Sequence, residues 1–299
     1  SDLKMKTKIV TFVYFGISDF PFYGHKVQAR WDRYKNSLLQ LSEMGLPIVC
    51  YCGSNVYPEL KKLLETNEVK NVDLKIRELE DFRHSKSMIK IKEKYPEKFN
   101  FYLEVGWAKI TLMEEEMEDD LDYLYWVDIG LSHVGLFPFR FNSNGDKITG
   151  TSTNKYRYTF DKIFNTDTFK KINNWVGDKL INLTNTQFFH NASILNNTLD
   201  KNHKYKSLTV GGIIGGHVSK LPNFFKSFEE YSQVCLEKEY LLNHEAMMST
   251  ISYDRPEDYE TFIFETWYHD DTQMKHITKE FLNSKKSFYR FFEEIENKK

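Results

Sequence analysis

Asp128 closes a short apolar run, Tyr123-Leu124-Tyr125-Trp126-Val127, and is followed by Ile129 and Gly130. Such a run reads as a buried strand. It leaves a carboxylate at the strand's C-terminal end, the edge at which open α/β sheets bind ligands. A carboxylate there can hold a divalent metal ion that in turn holds a phosphate. The structural alternative is an aspartate that caps the turn after the strand. Gly130 allows backbone to approach a ligand closely, and Ser132 and His133 add polar groups at the same edge. Lys109 lies in Gly106-Trp107-Ala108-Lys109-Ile110, early on the helix expected before that strand. Its ammonium could meet a phosphate or pair with Asp128, whereas the usual fate of a lysine is a solvated surface position.

The segment Gly211-Gly212-Ile213-Ile214-Gly215-Gly216-His217 places four glycines around two β-branched residues. That is costly in backbone entropy. It makes sense where a sugar or phosphate lies against backbone, at Gly212, Gly215 and Gly216; a bulged strand edge is the alternative. The pattern is neither a Walker loop nor a dinucleotide fingerprint. His244-Glu245 opens a helix, so Glu245 is either a first-turn charge or a carboxylate facing a ligand. His269-Asp270-Asp271 follows an expected strand. His269 could complete a metal site with Asp128, and a solvated turn accounts for the same residues. Asp19, Arg30, Arg33 and Tyr34 follow the first strand. Arg30 and Arg33 can read an anionic or nucleotide ligand or form surface ion pairs.

To bring these groups together the chain needs strands that end at a common edge. Apolar, β-branched runs predict strands over 8–15, 47–51, 72–76 and 124–128. Helical spacing predicts helices over 30–44, 57–66 and 106–118, with Gly45 near the end of the first and Pro58 in the first turn of the second. The acidic run from Glu114 to Asp122 reads as a solvated helix end. Strands alternating with helices predict a mostly parallel sheet. The second half reads differently, with an aromatic, turn-rich stretch over 137–158 and a hairpin turn at Asn144-Gly145. Helices are expected over 167–175, 221–239, 243–253 and 279–297, strands over 208–214 and 261–267, and an irregular polar segment over 182–206. No repeat or linker divides the chain. One α/β domain over 1–299 is expected, with a more elaborate C-terminal half.

With 299 residues and 40% hydrophobic content there is ample material for a large core, and a net charge of −2 predicts no general attraction to nucleic acid or anionic membrane. The apolar runs are too short to span a bilayer and no secretory segment opens the chain, which predicts a cytoplasmic protein. Met5 reads as a natural start, with residues 1–4 as an added tail. Cys50, Cys52 and Cys235 lack the companions a zinc site needs and read as reduced thiols, the first two sharing one strand face.

Taken together, the residues resemble nucleotide-sugar glycosyltransferases of the GT-A fold, and within that class the HtrL/YibB-type family of bacterial proteins. The resemblance is carried by Ile9-Val10-Thr11-Phe12-Val13-Tyr14-Phe15 with Arg30 and Tyr34, by Trp107-Ala108-Lys109, and by Tyr125-Trp126-Val127-Asp128-Ile129-Gly130. It closes with Gly211 to Gly216, Glu245 and the segment from Phe264 to Asp271. It implies a GT-A-like domain with a Rossmann-like central sheet, a donor-nucleotide half over about 5–135 and an acceptor and sugar half over about 136–299. GT-A enzymes usually carry Asp-x-Asp at the strand edge, whose carboxylates bind Mn2+ or Mg2+ bridging the donor diphosphate. Asp128 matches the first aspartate, but Gly130 stands at the second. Asp128 is then a ribose contact or shares a metal with His269. Lys109 matches a lysine near the donor phosphates or sugar, Tyr14 and Asp19 lie near the nucleoside, and the glycines border the sugar.

The resemblance implies transfer of a hexosyl or pentosyl group from a nucleotide sugar, UDP-sugar favoured, to a hydroxyl of a bacterial surface glycan. An inverting enzyme needs a base for that hydroxyl; Glu245, Asp271 and His217 are candidates among which the sequence does not choose. A phage-type enzyme acting on hydroxymethylated DNA bases in an infected cell is an alternative that fits the Asn/Lys/Phe/Tyr-rich composition, with Lys201 to Lys206 as a basic, aromatic patch. A non-catalytic sugar-nucleotide or glycan-binding protein is a further alternative, supported by the glycine at 130. A nucleotide-sugar oxidoreductase ranks last, for want of a dinucleotide fingerprint.

Overall fold

A computed structural model describes residues 5–14, 27–96, 103–129, 140–141, 147–148, 168–185, 208–209, 211–264 and 274–276. Strands β1 (Thr7–Val13), β2 (Ile48–Cys52), β3 (Val72–Ile76) and β4 (Tyr123–Val127) alternate with helices α1 (Val27–Ser42), α2 (Tyr57–Thr66), α3 (Ser85–Lys94) and α4 (Leu103–Glu115). A short hairpin pairs β5 (Arg140–Phe141) with β6 (Lys147–Ile148) on either side of Asn144-Gly145, which itself lies outside the described residues. Then come α5 (Thr168–Val176), β7 (Leu180–Asn185), β8 (Leu208–Thr209), β9 (Ile213–His217), α6 (Leu221–Glu237), α7 (His244–Asp254), β10 (Tyr259–Phe264) and β11 (Met274–His276).

The main sheet has the order β11-β10-β7-β9-β4-β1-β2-β3, with β8 added beside β7. β3, β2, β1, β4, β7 and β10 run one way, and β9, β8 and β11 run against them. The protein is therefore α/β with a mostly parallel sheet, as expected. Buried parallel strands are covered on both faces, so they are mostly apolar, and every residue of β1, β2 and β4 is buried, Thr7, Lys8 and Thr11 of β1 included. The period of two still sorts their side chains. Val10, Phe12, Val49, Tyr51, Leu124 and Trp126 pack with Trp107, Phe228 and Met247 of α4, α6 and α7. Val13, Cys50 and Cys52 pack with Trp31, Leu38 and Leu60 of α1 and α2. Cys50 and Cys52 thus share a face, as their spacing predicts, and all three cysteines are buried free thiols.

Three expectations change. The segment expected to be irregular from residue 182 begins as the interior strand β7. Asn182 is tolerated there because its amide oxygen accepts from Thr209 Oγ1 at 2.7 Å and its amide nitrogen donates to Thr261 Oγ1 at 3.2 Å, so a buried polar group finds partners on both neighbouring strands. The single strand expected over 208–214 divides into β8 and β9, and Gly215 and Gly216 fall inside β9 rather than after it. The acidic run is only partly solvated. Glu114 and Glu115 pair with Arg83 and Arg77 at the surface, but Glu116 is buried and accepts from Lys8 (2.8 Å), Lys75 (2.9 Å) and the Tyr51 hydroxyl, tying β1, β2 and β3 together. Helix α3 has no counterpart among the expected elements. It begins after His84, whose left-handed backbone (φ 73°) turns the chain into it.

Candidate functional site

Helix α4 carries Gly106 and Lys109 one turn apart and runs beneath the C-terminal end of β4. The Lys109 side chain is only 11% exposed. Its Nζ lies 2.8 Å from Asp128 Oδ1, donates to the Gly211 carbonyl at 3.1 Å, and stands 5.7 Å from the centre of the Trp126 ring. Trp126 Nε1 donates to the same Asp128 oxygen at 2.6 Å. That contact spans two residues on one strand face, which is how the strand's pleat aims both side chains the same way. Asp128 N donates to Gly212 O at 2.8 Å, extending the β4–β9 ladder one residue past the strand and fixing the glycine turn beside the carboxylate.

Gly211 is held from three directions. Its carbonyl accepts from Lys109, its N–H donates to Glu245 Oε2 at 2.7 Å, and its Cα lies against the His244 ring. Glu245 is placed by the start of α7, where Asn243 Oδ1 accepts from Glu245 N at 2.8 Å as an N-cap. Burial pushes the Glu245 carboxyl above its ordinary value and the Asp128 charge adds to this, against the opposing effects of Lys109 and the Gly211 N–H. His244 is 7% exposed and sits in a slot between two glycines. A Cβ on Gly106 would lie 2.2 Å from its Nδ1, and one on Gly211 would lie 2.4 Å from its Nε2. Burial, helped by the Lys109 charge, drives its basicity well below the ordinary histidine value, so it is neutral. Nε2 has no hydrogen-bond partner among the described residues.

The structure brings Lys109, Asp128, Gly212 and Glu245 together and separates others from them. β9 runs antiparallel to β4, with Ile213 opposite Val127 and His217 opposite Tyr123. His217 is therefore at the far edge of the sheet, about 16 Å of strand from Asp128 at ~3.3 Å per residue. There its ring meets Tyr123 edge-on and its Nδ1 lies 2.7 Å from Ser219 Oγ, so it is not the base of this site. Gly215 and Gly216 are likewise inside the sheet, opposite Tyr125 and Leu124. Their φ values are +114° and +145°, and an added Cβ would lie 2.1 Å from Leu124 O and 2.5 Å from Lys179 O. Close backbone packing to β4 and to the start of β7 requires glycine at both positions, which corrects their assignment to the donor.

Tyr14 follows β1, whose Val10 is level with Trp126, so Tyr14 leaves the sheet at the same edge as Asp128 and packs beside Phe12. Arg30 lies in the first turn of α1. Asp19, Gly130, His269 and Asp271, and the patch from Lys201 to Lys206, lie outside the described residues. Gly106, His244, Asn243 and the indole of Trp126 were not read from the sequence as parts of the site. A glycine inside a helix, one turn before a lysine, was the signal available, since Gly there costs ~1 kcal/mol against Ala and needs a packing reason.

A divalent metal resident in the free protein would need several ligands from this set, whereas one that arrives with a substrate phosphate needs one or two carboxylates. Among the described residues no cluster of three His, Cys, Asp or Glu side chains could hold one. Asp128 Oδ1 already receives an ammonium and an indole N–H. The described residues by themselves do not make up a resident metal site; His269, the expected partner of Asp128, lies outside them.

No protein-family model and no curated protein matches the chain. Among solved structures, it is similar to 4-diphosphocytidyl-2C-methyl-D-erythritol synthase from Anaerococcus prevotii at 10% identity and TM-score 0.44, covering 98% of this chain and 96% of that one. It is similar to mouse xyloside xylosyltransferase 1 at 11% identity and TM-score 0.44, covering 86% and 85%. It is similar to core-mannan synthase A from Aspergillus fumigatus, in its Mn/GDP form, at 8% identity and TM-score 0.44, covering 98% and 85%. Likenesses this distant assign no activity to the chain. No helix among the described residues is long and apolar enough to cross a membrane.

Proposed function

We propose that the protein is a nucleotide-sugar-dependent glycosyltransferase, with its donor site at the Asp128 end of β4. The observation that carries this reading is the buried ammonium of Lys109, held between the Asp128 carboxylate and the Gly211 carbonyl at the ligand-binding edge of a parallel sheet. Holding a lysine away from water is costly without partners, and a fixed positive charge at such an edge suits a diphosphate. The stretches that resemble GT-A enzymes, Trp107-Ala108-Lys109 and Tyr125 to Gly130, supply Lys109, Trp126 and Asp128 to it.

In the transfer, the bond from the sugar's anomeric carbon to the diphosphate oxygen breaks, and its electron pair stays on that oxygen. The acceptor hydroxyl oxygen bonds to the anomeric carbon and gives up its proton. Lys109 offsets the charge that grows on the leaving phosphate. Glu245 is the carboxylate in reach of the same turn, and its raised proton affinity suits a group that takes the acceptor proton. Asp128 keeps Lys109 in place and its outer oxygen faces the ribose. The donor is a UDP-sugar carrying a hexosyl or pentosyl group, and the acceptor a bacterial surface glycan. Three unpaired buried thiols support a reducing, cytoplasmic setting.

The test is a thermal-shift panel of nucleotide sugars on the full chain, followed by turnover of a labelled donor. A specific donor raises Tm by mass action, and Asp128→Ala abolishes turnover. Full turnover by Asp128→Ala, or no shift with any donor, refutes the assignment. A second reading, a sugar-nucleotide-binding protein without turnover, is favoured by Gly130 at the second carboxylate position. It predicts donor binding with neither transfer nor hydrolysis. Comparing purified glycan with hydroxymethylcytosine-containing DNA separates the two acceptor classes.

A further inference from the structure

We infer that the ammonium of Lys109 is the cation of the donor site, so that diphosphate binding and sugar transfer proceed without a divalent metal. This rests on the transferase reading above and goes beyond it.

An ammonium has three N–H donors. Asp128 and the Gly211 carbonyl take two at 2.8 and 3.1 Å, which among the described residues leaves one for a phosphate oxygen. The acceptors are themselves fixed. Asp128 is held by the Trp126 indole and by its own N–H on Gly212, and Gly211 by the Glu245 carboxylate. The backbone that carries Lys109 is fixed too, because the His244 ring fills the space between Gly106 and Gly211 and leaves neither room for a side chain. Lys109 is thus a pre-positioned positive charge rather than a flexible surface lysine, and little rearrangement is needed when a diphosphate arrives.

A metal ion at the same place would meet the opposite situation. Asp128 Oδ1 is already taken by an ammonium and an indole N–H, so a metal would have only Oδ2 of that carboxylate, and the residue two positions on is a glycine with no side-chain donor. The net charge comes out the same without a metal. Two carboxylates around a divalent ion leave a neutral site, and Asp128 with Lys109 is neutral already. A cation added to this pair would be repelled by Lys109 at close range. In the transfer, the departing diphosphate oxygen takes the electron pair of the broken sugar bond while Lys109 stays protonated, donating to that oxygen.

The experiment measures binding of UDP and of the UDP-sugars of the panel to the full chain by calorimetry, in EDTA and in Mn2+, for the natural protein and for Lys109→Met and Lys109→Arg. Mn2+ alone is titrated as well. The expected result is binding in EDTA equal to that in Mn2+ within ~2-fold, a fall of about 10- to 100-fold in Lys109→Met as one charged hydrogen bond is lost, partial recovery in Lys109→Arg, and no stoichiometric Mn2+ uptake. Folding of each variant is followed by its circular dichroism, and Lys109→Arg carries the comparison where Lys109→Met does not fold. Binding that requires Mn2+, or stoichiometric Mn2+ uptake by the free protein, overturns the inference and leaves the transferase reading standing. Binding in EDTA that Lys109→Met does not weaken overturns it equally. Binding of no nucleotide under either condition overturns the transferase reading, and this inference with it.

Discussion

Replacing Gly106 by Ala tests the His244 slot, because two physical effects there predict opposite signs. Gly106 is inside α4, and helix propensity alone makes Gly→Ala stabilising by about 0.5–1 kcal/mol. The structure places the new Cβ 2.2 Å from His244 Nδ1 and 3.0 Å from Cε1 and Cγ, whereas ordinary contact begins at 3.4 Å. The ring would have to withdraw by about an ångström, and Gly211 already closes the other side, since its own Cβ position is 2.4 Å from Nε2. Overpacking of this kind costs about 1–3 kcal/mol. The net expectation is destabilisation by about 1–2 kcal/mol once the propensity gain is offset. The assay is equilibrium urea unfolding of Gly106→Ala, His244→Ala and the double variant. His244→Ala removes the ring and its unpartnered Nε2, so the added methyl has room and the double variant recovers the propensity gain. The coupling between the two sites should be about 1–3 kcal/mol, as for residues in direct contact. A stabilised Gly106→Ala, or single effects that add within ~0.5 kcal/mol in the double variant, refutes the slot.

The same histidine makes stability pH-dependent. Its folded basicity lies well below the unfolded value of about 6.5, so below that pH only the unfolded chain binds the proton. Stability from this group is intact above pH ~6.5 and is lost progressively as pH falls from ~7.5 through ~5.5 towards the folded pKa. Urea midpoints at those two pH values should show this loss in the natural protein and its absence in His244→Asn; equal slopes would sink the claim. Gly215→Ala should cost at least about 3 kcal/mol, from its disallowed φ and the clash with Leu124 O, while Gly45→Ala, with φ +76° and open space around it, should cost about 1 kcal/mol. Similar Tm losses in the two would contradict the packing described for β9. Finally, His217→Ala should leave donor turnover unchanged, while Glu245→Gln should lower kcat by about 10²- to 10⁴-fold; the reverse order would exchange their roles.

Much of the first half of the fold can be read directly because each element is local. The apolar run before Asp128, Pro58 at the start of α2 and the single face shared by Cys50 and Cys52 follow from periods that neighbouring residues set. Where that reading fails, a distant partner has decided the outcome. Asn182 looks like a loop residue until Thr209 and Thr261 lie on both sides of it. Glu116 looks like part of a solvated acidic run until Lys8, Lys75 and Tyr51 converge on it. In both cases a polar side chain becomes a core residue only because its hydrogen-bonding capacity is met from other strands.

The candidate site divides in the same way. Sequence alone determined that Asp128 ends a buried strand, that a helix carrying Lys109 precedes it, and that the glycine segment and Glu245 belong to later elements. Tertiary structure alone decided which end of the glycine segment meets Asp128. β9 enters antiparallel between β4 and β7, so Gly211 and Gly212 reach the carboxylate and His217 is carried to the opposite edge. An alternating strand pattern reads the same in either direction, because the period of two has no polarity. The direction of a strand is set by its partners, and the partners of β9 lie about a hundred residues away along the chain in β4 and across the sheet in β7.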